Sequence, residues 1–319
     1  MGLLFIASQP RSGSTLLQSL LSNNNFVSTT SEPWLLLPFI SYNRPDLQKG
    51  VFNSNLAKIG IEDYINKFSL NNYFKEEIQK FIDRLYEPLS GESTKYILDK
   101  TPRYYEILDS IVEIFPDAKV IVLKRNPLDV LKSIISTWDV ENFPQLSFYS
   151  RDILKAPFLM QQFIEKNKTN DNVREVLYEN LTKSPEDEIA KLYKWLDIEF
   201  DSSVLDYKKN NKTEGVMGDK VGVYKYDKVI NHQGNRKELL DKSSFWKAFF
   251  QGYTAYLGAD FLCKYGDYLG ETVKKTKVFK DFLFLNSINY YGNKELSFRG
   301  IFSLVKFKIK AKFVSEYKY

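Results

Sequence analysis

The sequence predicts an α/β fold in which a doubly wound parallel sheet is flanked by helices. Short apolar segments without polar alternation, of which Leu3 to Ser8 is the first, are typical of buried parallel strands. Amphipathic helical segments alternate with them. The first strand is joined to the first helix by a short loop containing Gly13, as in the opening of a doubly wound fold. With 319 residues, 43% of them hydrophobic, the chain can bury one large core.

The alternation of strands and helices can be followed along most of the chain. The first helix is predicted from about Ser14, because four leucines after it fall on one helical face. Further strands are predicted at 96–98, 119–123 and 174–178, and further helices at 104–115, 126–138, 151–166, 185–195 and 236–257.

Residues 34–88 interrupt this alternation with a stretch that is mostly helical. The segment from Asp63 to Tyr86 has apolar residues at helical spacing and is predicted as a helix. Residues 215–235, rich in Gly and Lys, are predicted as a loop.

The single cysteine and the N-terminal residues predict a cytoplasmic protein. One cysteine excludes an internal disulfide, which favours a reducing compartment. Cys263 follows Phe261 and Leu262, so a packed thiol is expected there. The first residues have no basic segment of the kind that opens a signal peptide, and no apolar run has the length of a membrane span.

The net charge of +5 is unevenly distributed and divides the chain into two predicted regions. Residues 271–319 carry +7, so residues 1–270 carry −2. A nearly neutral body argues against nucleic acid as a partner. We predict a catalytic domain at 1–270 and a basic C-terminal extension at 271–319, packed or peripheral. Lys and apolar residues alternate from Lys306 to Phe313, which fits either a peripheral membrane contact or an edge strand protected by lysines.

The loop after the first strand predicts an anion site. A helix N-terminus directs free backbone N–H groups and the positive end of its dipole to one point. Glycine permits close approach of the backbone, hydroxyls add donors, and arginine adds a charged donor. The predicted binding residues are Arg11, Ser12, Gly13, Ser14, Thr15 and Leu16. A nucleotide kinase would need Gly-Lys-Ser/Thr here for the terminal phosphates and Mg²⁺, but Ser14 follows Gly13. Because this lysine is missing, a P-loop kinase is kept only as a weaker alternative interpretation of the loop.

The segment Pro10 to Leu17, Pro-Arg-Ser-Gly-Ser-Thr-Leu-Leu, resembles the 5′-phosphosulfate loop of sulfotransferases that use 3′-phosphoadenosine 5′-phosphosulfate (PAPS). It is most similar to the branch with protein-tyrosine and bacterial sulfotransferases. The resemblance implies a P-loop-like sheet, PAPS as co-substrate, adenosine 3′,5′-bisphosphate (PAP) as product, and no metal. It also implies that the helical insertion at 34–88 shapes the acceptor side.

Three further segments extend the resemblance from about Leu3 to Trp195. Arg125 ends a strand and Ser133 stands eight residues on, as in the family's 3′-phosphate site. Arginine at the carboxyl end of a strand independently suits phosphate recognition. Asp-Lys-Thr-Pro at 99–102 resembles the segment whose lysine reaches the sulfuryl group, which makes Lys100 a catalytic candidate. Tyr178 matches a tyrosine that lies near the nucleotide in members of this family.

The base is assigned to Glu32 by the resemblance to the tyrosylprotein branch. Glu32 stands 21 residues beyond Arg11, which matches the placement of that branch's catalytic glutamate. His232, the only histidine, is expected in a surface loop, and it or Asp99 is the next candidate. Residues 216–220, in the region where that branch has an assisting serine, contain none.

The acceptor class and oligomeric state stay open at this point. A carbohydrate, a peptide tyrosine, a lipid and a small molecule all fit. A protein that binds a nucleotide without catalysis, or that associates with a membrane through its tail, is the third interpretation.

Overall fold

The computed structural model describes residues 1–48, 52–206, 243–266 and 276–290. Five strands form one sheet in the order β2-β3-β1-β4-β5, and every neighbouring pair is parallel. The predicted α/β class and parallel sheet are thus confirmed. The strands are β1 (Gly2–Ser8), β2 (Val27–Thr29), β3 (Tyr96–Lys100), β4 (Lys119–Lys124) and β5 (Val173–Leu177).

β1 lies between β3 and β4, and the sheet extends to β2 on one side and to β5 on the other. The carboxyl ends of the parallel strands β3, β1 and β4 therefore lie side by side at one edge of the sheet. In the register of the sheet, Ile6 lies beside Lys100 of β3, and Ser8 lies beside Leu123 of β4. The loop after β1 therefore leaves the sheet at a topological switch point, where doubly wound folds bind their ligands.

Helices connect and flank the strands. The first helix begins at Ser14, as predicted. In chain order the helices are α1 (Ser14–Ser22), α2 (Leu36–Ile40), α3 (Ser54–Lys67), α4 (Asn71–Tyr86), α5 (Leu108–Ile114), α6 (Pro127–Thr137), α7 (Phe143–Ser147), α8 (Ser150–Leu154), α9 (Ala156–Lys166), α10 (Tyr178–Lys183), α11 (Pro185–Trp195), α12 (Ser244–Leu257), α13 (Ala259–Cys263) and α14 (Lys277–Tyr290).

The predicted helices over 63–86 and 151–166 are each broken in the structure. The first breaks between α3 and α4, where Ser69 has φ 58° and the N–H of Leu70 donates to the carbonyl of Ile65. This is a Schellman-type helix end. The second breaks between α8 and α9, where Pro157 cannot donate the hydrogen bond that a continuous helix requires.

One further boundary differs from the sequence prediction, and another adjoins residues that the structure does not describe. The predicted helix at 104–115 is a 3-10 helix, Pro102–Glu106, followed by α5. Residues 236–242 of the predicted helix at 236–257 lie outside the described residues, and α12 begins at Ser244, after Ser243, whose hydroxyl accepts from the N–H of Trp246. A serine of this kind is an N-cap, which ends the helix on its N-terminal side.

Backbone contacts divide the chain into two compact units. The first comprises Met1–Lys124 and Phe158–Asn231, and the second Arg125–Pro157 and His232–Tyr319. The whole sheet lies in the first unit. Its core on the α1 side joins leucines of α1 to β1, β3, β4 and α11. Because the strand residues in this core are buried and closely packed, the strands hold the residues at their carboxyl ends in fixed positions.

The second unit is helical in the residues that the structure describes. Phe249 of α12 packs against Phe279 and Phe282 of α14, with ring centroids 5.3 and 5.0 Å apart. Gly252 permits this approach, because a Cβ there would overlap Phe279. Phe279 and Phe282, in the described part of the predicted basic extension, therefore pack on α12. Cys263 is exposed, contrary to the prediction, while Leu262 before it is buried.

No helix among residues 1–48, 52–206, 243–266 and 276–290 combines the length and apolar character needed to cross a membrane. The predicted loop at 215–235 with its segment 216–220 and His232, and the alternating segment 306–313, lie outside the described residues.

Candidate active site

The loop between β1 and α1 has the backbone shape of an anion cradle. Arg11 has φ 70° and Gly13 has φ 90°, so both adopt left-handed conformations. Such conformations turn successive N–H groups toward one side, as in anion-binding nests. Gly13 is also the residue before α1 and has no side chain to cap its first turn. A Cβ at position 13 would overlap the ring of Tyr178, so that ring lies against the loop.

Ser12 supplies a buried hydroxyl in this loop. Its side chain is 0% exposed, and its Oγ has no hydrogen-bond partner among the described residues of the protein. Burial of a hydroxyl without a partner is costly, and such groups in native proteins usually have a functional reason. A phosphate or sulfate oxygen at the helix N-terminus would satisfy this hydroxyl.

Lys100 lies at the carboxyl end of β3, next to β1. Its side chain is only 1% exposed. Its Nζ is 3.3 Å from Oγ1 of Thr15 in the first turn of α1 and 2.7 Å from Oε1 of Glu32. The structure thus brings together Lys100, Glu32 and Thr15, three of the residues that the sequence predicts for the site.

Glu32 is held in place from two sides. Gln18 of α1 donates to Oγ1 of Thr29 at 2.8 Å and to the carbonyl of Thr30 at 2.7 Å, which fixes the chain just before Glu32. After it, Nε1 of Trp34 donates to Oε2 of Glu32 at 3.3 Å. Each carboxylate oxygen of Glu32 therefore has its own donor.

Trp34 adopts an unusual conformation at this site. Its φ is 55°, which is costly for a residue with a large side chain. The guanidinium of Arg103 lies 5.3 Å from its ring centroid, a cation–π contact. Strained backbone persists only where surrounding contacts fix it, so Trp34 is firmly held beside Glu32.

Asp99, the residue before Lys100, points into a buried cluster of hydroxyls. It is 2% exposed and accepts hydrogen bonds from Tyr86, Tyr104 and Thr101. Burial raises the pKa of this carboxyl to about 6, although the three hydroxyls and Lys100 lower it. Burial also raises the pKa of Tyr86 and Tyr104 above its ordinary value. Because its oxygens already accept three hydroxyls, we do not assign Asp99 to the base.

Arg125 and Ser133 belong to the second unit. Arg125 directly follows the last residue of β4, and Ser133 lies within α6. The start of that helix is well defined, because Asn126 accepts from the N–H of Leu128 and Pro127 occupies the first turn. Their role at a 3′-phosphate stays a prediction.

Several groups at the site were not predicted from the sequence. Gln18 of α1 donates to the carbonyl of Thr30 near Glu32, Trp34 donates to Glu32 itself, and Tyr86 of α4 donates to Asp99. A glutamine on the polar side of an otherwise apolar helix was the one local signal for Gln18. No local pattern indicates that Tyr86 reaches β3.

The loop after β1, the strand order and the parallel sheet together form a P-loop-like α/β fold. A model of the Sulfotransferase family matches residues 4–202. The match covers more than half of the chain, and the protein therefore belongs to the sulfotransferase family. The prediction of the family from the motifs is confirmed.

Similar proteins agree with this membership. The nodulation protein NoeE of Sinorhizobium fredii is 31% identical over 137 residues, which cover 43% of this chain and 32% of NoeE. The protein-tyrosine sulfotransferase of Drosophila melanogaster is 26% identical over 224 residues, which cover 69% of this chain and 43% of the fly protein. The chain thus spans less than half the length of these two curated relatives.

A solved structure supports the fold. The sulfotransferase domain from the curacin biosynthetic pathway superposes with a TM-score of 0.50 and 18% identity, over 76% of this chain and 96% of that domain. The likeness concerns the fold, including the P-loop-like parallel sheet.

Proposed function

We propose that this protein transfers the sulfuryl group of PAPS to an acceptor hydroxyl or amine, with PAP as the other product. Membership of the family supports the reaction class. The observation that carries the proposal for this chain is the contact of one buried ammonium, Lys100 Nζ, with both Thr15 of the anion loop and Glu32. The ammonium of Lys100 would then contact both the loop that binds the sulfuryl donor and the carboxylate that takes the acceptor's proton.

The loop residues would hold the 5′-phosphosulfate. The backbone N–H groups around Gly13, and the hydroxyl of Ser12, which has no partner among the residues that the structure describes, would provide donors toward one point. Arg11, Ser14, Thr15 and Leu16 complete the predicted loop. The ring of Tyr178, packed on Gly13, would border the nucleotide.

Lys100 and Glu32 would divide the chemical step. The acceptor oxygen bonds to sulfur while the bond from sulfur to the bridging phosphate oxygen breaks, and that oxygen keeps the electron pair. Lys100 would stabilise the charge that develops there. Glu32 would take the proton of the acceptor, which leaves the sulfated acceptor neutral at that atom. In the structure Lys100 and Glu32 form an ion pair. For the reaction, Lys100 must turn to the bridging phosphate oxygen and Glu32 to the acceptor's proton, so both give up this contact.

Arg125 and Ser133 would bind the 3′-phosphate. The support is their chain position: a guanidinium immediately after β4 and a hydroxyl on the helix that follows. Arginine recognises phosphate with two parallel hydrogen bonds, which lysine cannot do. The 3′-phosphate distinguishes PAP from AMP and ADP, so these residues would determine nucleotide choice.

The acceptor is proposed only as a hydroxyl or amine compound. The helical segment at 34–88 contributes α2, α3 and α4, and α2 begins four residues after Glu32. This segment would form the acceptor side. Localisation in the cytoplasm and peripheral membrane contact of residues 306–313 stay proposals of the sequence.

The decisive experiment compares ligands and donors directly. Calorimetric titration should show PAP binding far more tightly than AMP or ADP. Incubation with ³⁵S-labelled PAPS and a panel of phenols, sugars, peptides and amines should label at least one class. Equal affinity for PAP and AMP, or tight binding of ATP with Mg²⁺ and phosphoryl transfer, would contradict the proposal and favour the kinase alternative.

A further inference from the structure

The carboxylate of Asp99 connects β3 to two other segments of the first unit. It accepts from the hydroxyl of Tyr86 on α4 at 2.5 Å and from that of Tyr104 in the 3-10 helix at 2.7 Å. It also accepts from Oγ1 of Thr101 at 2.9 Å. Asp99, Tyr104 and Thr101 are 2%, 0% and 0% exposed, so water does not compete for these hydrogen bonds.

Two of the three hydroxyls have a second task. Oη of Tyr104 accepts the N–H of Leu36 at 3.0 Å, and Oγ1 of Thr101 accepts the N–H of Trp34 at 3.4 Å. These two N–H groups belong to the chain directly after Glu32 and Pro33. Through two hydroxyls, Asp99 thus reaches the backbone that follows Glu32.

The direction of these hydrogen bonds follows from the chemistry of the carboxylate. An ionised carboxylate only accepts, so each hydroxyl must give its hydrogen to Asp99 and present a lone pair elsewhere. Those lone pairs meet the N–H groups of residues 34 and 36. An amide in place of the carboxylate would present a donor on one side, which would force one hydroxyl to reverse and to lose its match with an N–H.

We propose that Asp99 is a positioning residue of the transfer site: through Tyr104 and Thr101 it fixes residues 34–36, and so holds Glu32 at Lys100. The inference rests on the proposed function for its catalytic consequence. Asp99 precedes Lys100 in β3, and residues 34–36 follow Glu32, so one carboxylate sets the separation of the two catalytic candidates. A misplacement of about 1 Å can cost on the order of 10²-fold in rate.

Tyr104→Phe and Tyr86→Phe form a matched pair for the test. Both remove one buried hydroxyl that donates to the same oxygen of Asp99. Only Tyr104 also accepts a main-chain N–H near Glu32. We expect Tyr104→Phe to lower kcat by roughly 10- to 100-fold with little change in the KM for PAPS. We expect Tyr86→Phe to lower stability comparably without a matching loss of kcat.

A spectroscopic measurement separates this inference from the proposed function. The indole N–H of Trp34 donates to Glu32, and its ¹⁵N resonance can be assigned with Trp34→Phe. Tyr104→Phe and Asp99→Asn should shift that resonance, Tyr86→Phe should leave it in place, and the indole of Trp195 serves as an internal reference. Circular dichroism confirms that each variant is folded.

The outcomes decide both questions. An unchanged Trp34 resonance in Tyr104→Phe and Asp99→Asn, or equal kcat losses in Tyr104→Phe and Tyr86→Phe, overturns the positioning role. If the wild-type protein neither binds PAP nor transfers sulfuryl, the proposed function fails, and the indole comparison still decides whether Asp99 holds the Glu32 segment.

Discussion

Oε1 of Glu32 and Nζ of Lys100 are 2.7 Å apart, and Lys100 is almost entirely buried. The resemblance assigned these residues separate roles, Glu32 as the base and Lys100 at the transferring sulfuryl group. Their contact means that each is the other's counter-charge before the donor binds. Removal of either leaves a buried charge without its partner, which costs stability as well as activity.

Glu32→Gln should reduce turnover by roughly 10²- to 10⁴-fold, the usual contribution of general acid–base catalysis. The loss should shrink with acceptors whose hydroxyl is more acidic, because these need less help in losing a proton. The measurement is kcat across a series of phenols of graded pKa. An equal loss at every acceptor pKa would show that Glu32 is not the base.

Glu175→Gln is the matched control for that variant. Oε1 of Glu175 lies 2.6 Å from Nζ of Lys124, another lysine that is 1% exposed. Both substitutions remove a carboxylate that is paired with a buried lysine, but only Glu32 is proposed to act on the acceptor. Glu175→Gln should therefore lower the midpoint of thermal unfolding without an acceptor-dependent loss of kcat.

Ser12→Ala should weaken PAP binding while leaving the ligand-free protein as stable as the wild type or slightly more stable. The reason is that Oγ of Ser12 is buried and has no partner among the described residues. A hydrogen bond to a charged phosphate contributes about 1.5–3 kcal/mol, or roughly 10- to 100-fold in Kd. The measurements are calorimetric titration with PAP and denaturant unfolding.

Ser19→Ala, in the helix α1 that follows the loop, is the control for Ser12. The hydroxyl of Ser19 donates to the carbonyl of Thr15 within α1, so it has no proposed contact with the nucleotide. Its replacement should leave the Kd for PAP unchanged. Equal Kd values for Ser12→Ala and the wild type would remove Ser12 from the loop's donors.

Arg125→Ala should abolish most of the preference for PAP over AMP. Loss of a charged hydrogen bond to the 3′-phosphate should weaken PAP binding by about 1.5–3 kcal/mol and leave AMP binding nearly unchanged. Arg125→Lys should restore the preference only in part, since lysine lacks the bidentate fork. Parallel titrations with PAP and AMP measure this, and an equal loss for both nucleotides would contradict the assignment.

Local sequence signals were sufficient for four of the five strands and for the loop between β1 and α1, whereas the short strand β2 was not predicted. Unbroken apolar runs identify buried parallel strands, and Gly13 between a strand and an apolar helix identifies the loop. Glu32 and Lys100 were found by resemblance, and the structure brings them into contact.

What the sequence missed depends on contacts between residues distant in the chain. Residues 104–115 have helical spacing, yet the chain starts there as a 3-10 helix in which the hydroxyl of Tyr104 donates to Asp99. Gln18 fixes Thr30 across 12 residues, and Tyr86 reaches Asp99 from α4. Sequence periodicity does not indicate such pairings, since these side chains come within hydrogen-bond distance only once the sheet has formed.

Asp99→Asn should change how stability depends on pH. In the folded protein the pKa of Asp99 is raised from its ordinary value of 3.8 to about 6, chiefly by burial. The folded state therefore binds a proton more readily than the unfolded state between these values. This contribution to stability is complete below about pH 4 and is lost as pH rises through about 6, at no more than about 1.4 kcal/mol per pH unit. Asparagine does not titrate, so the free energy of unfolding of the wild type should fall relative to Asp99→Asn across that window. Denaturant unfolding of both proteins measures the difference. A difference that stays constant from about pH 4 to about pH 7 would show that Asp99 titrates outside this window.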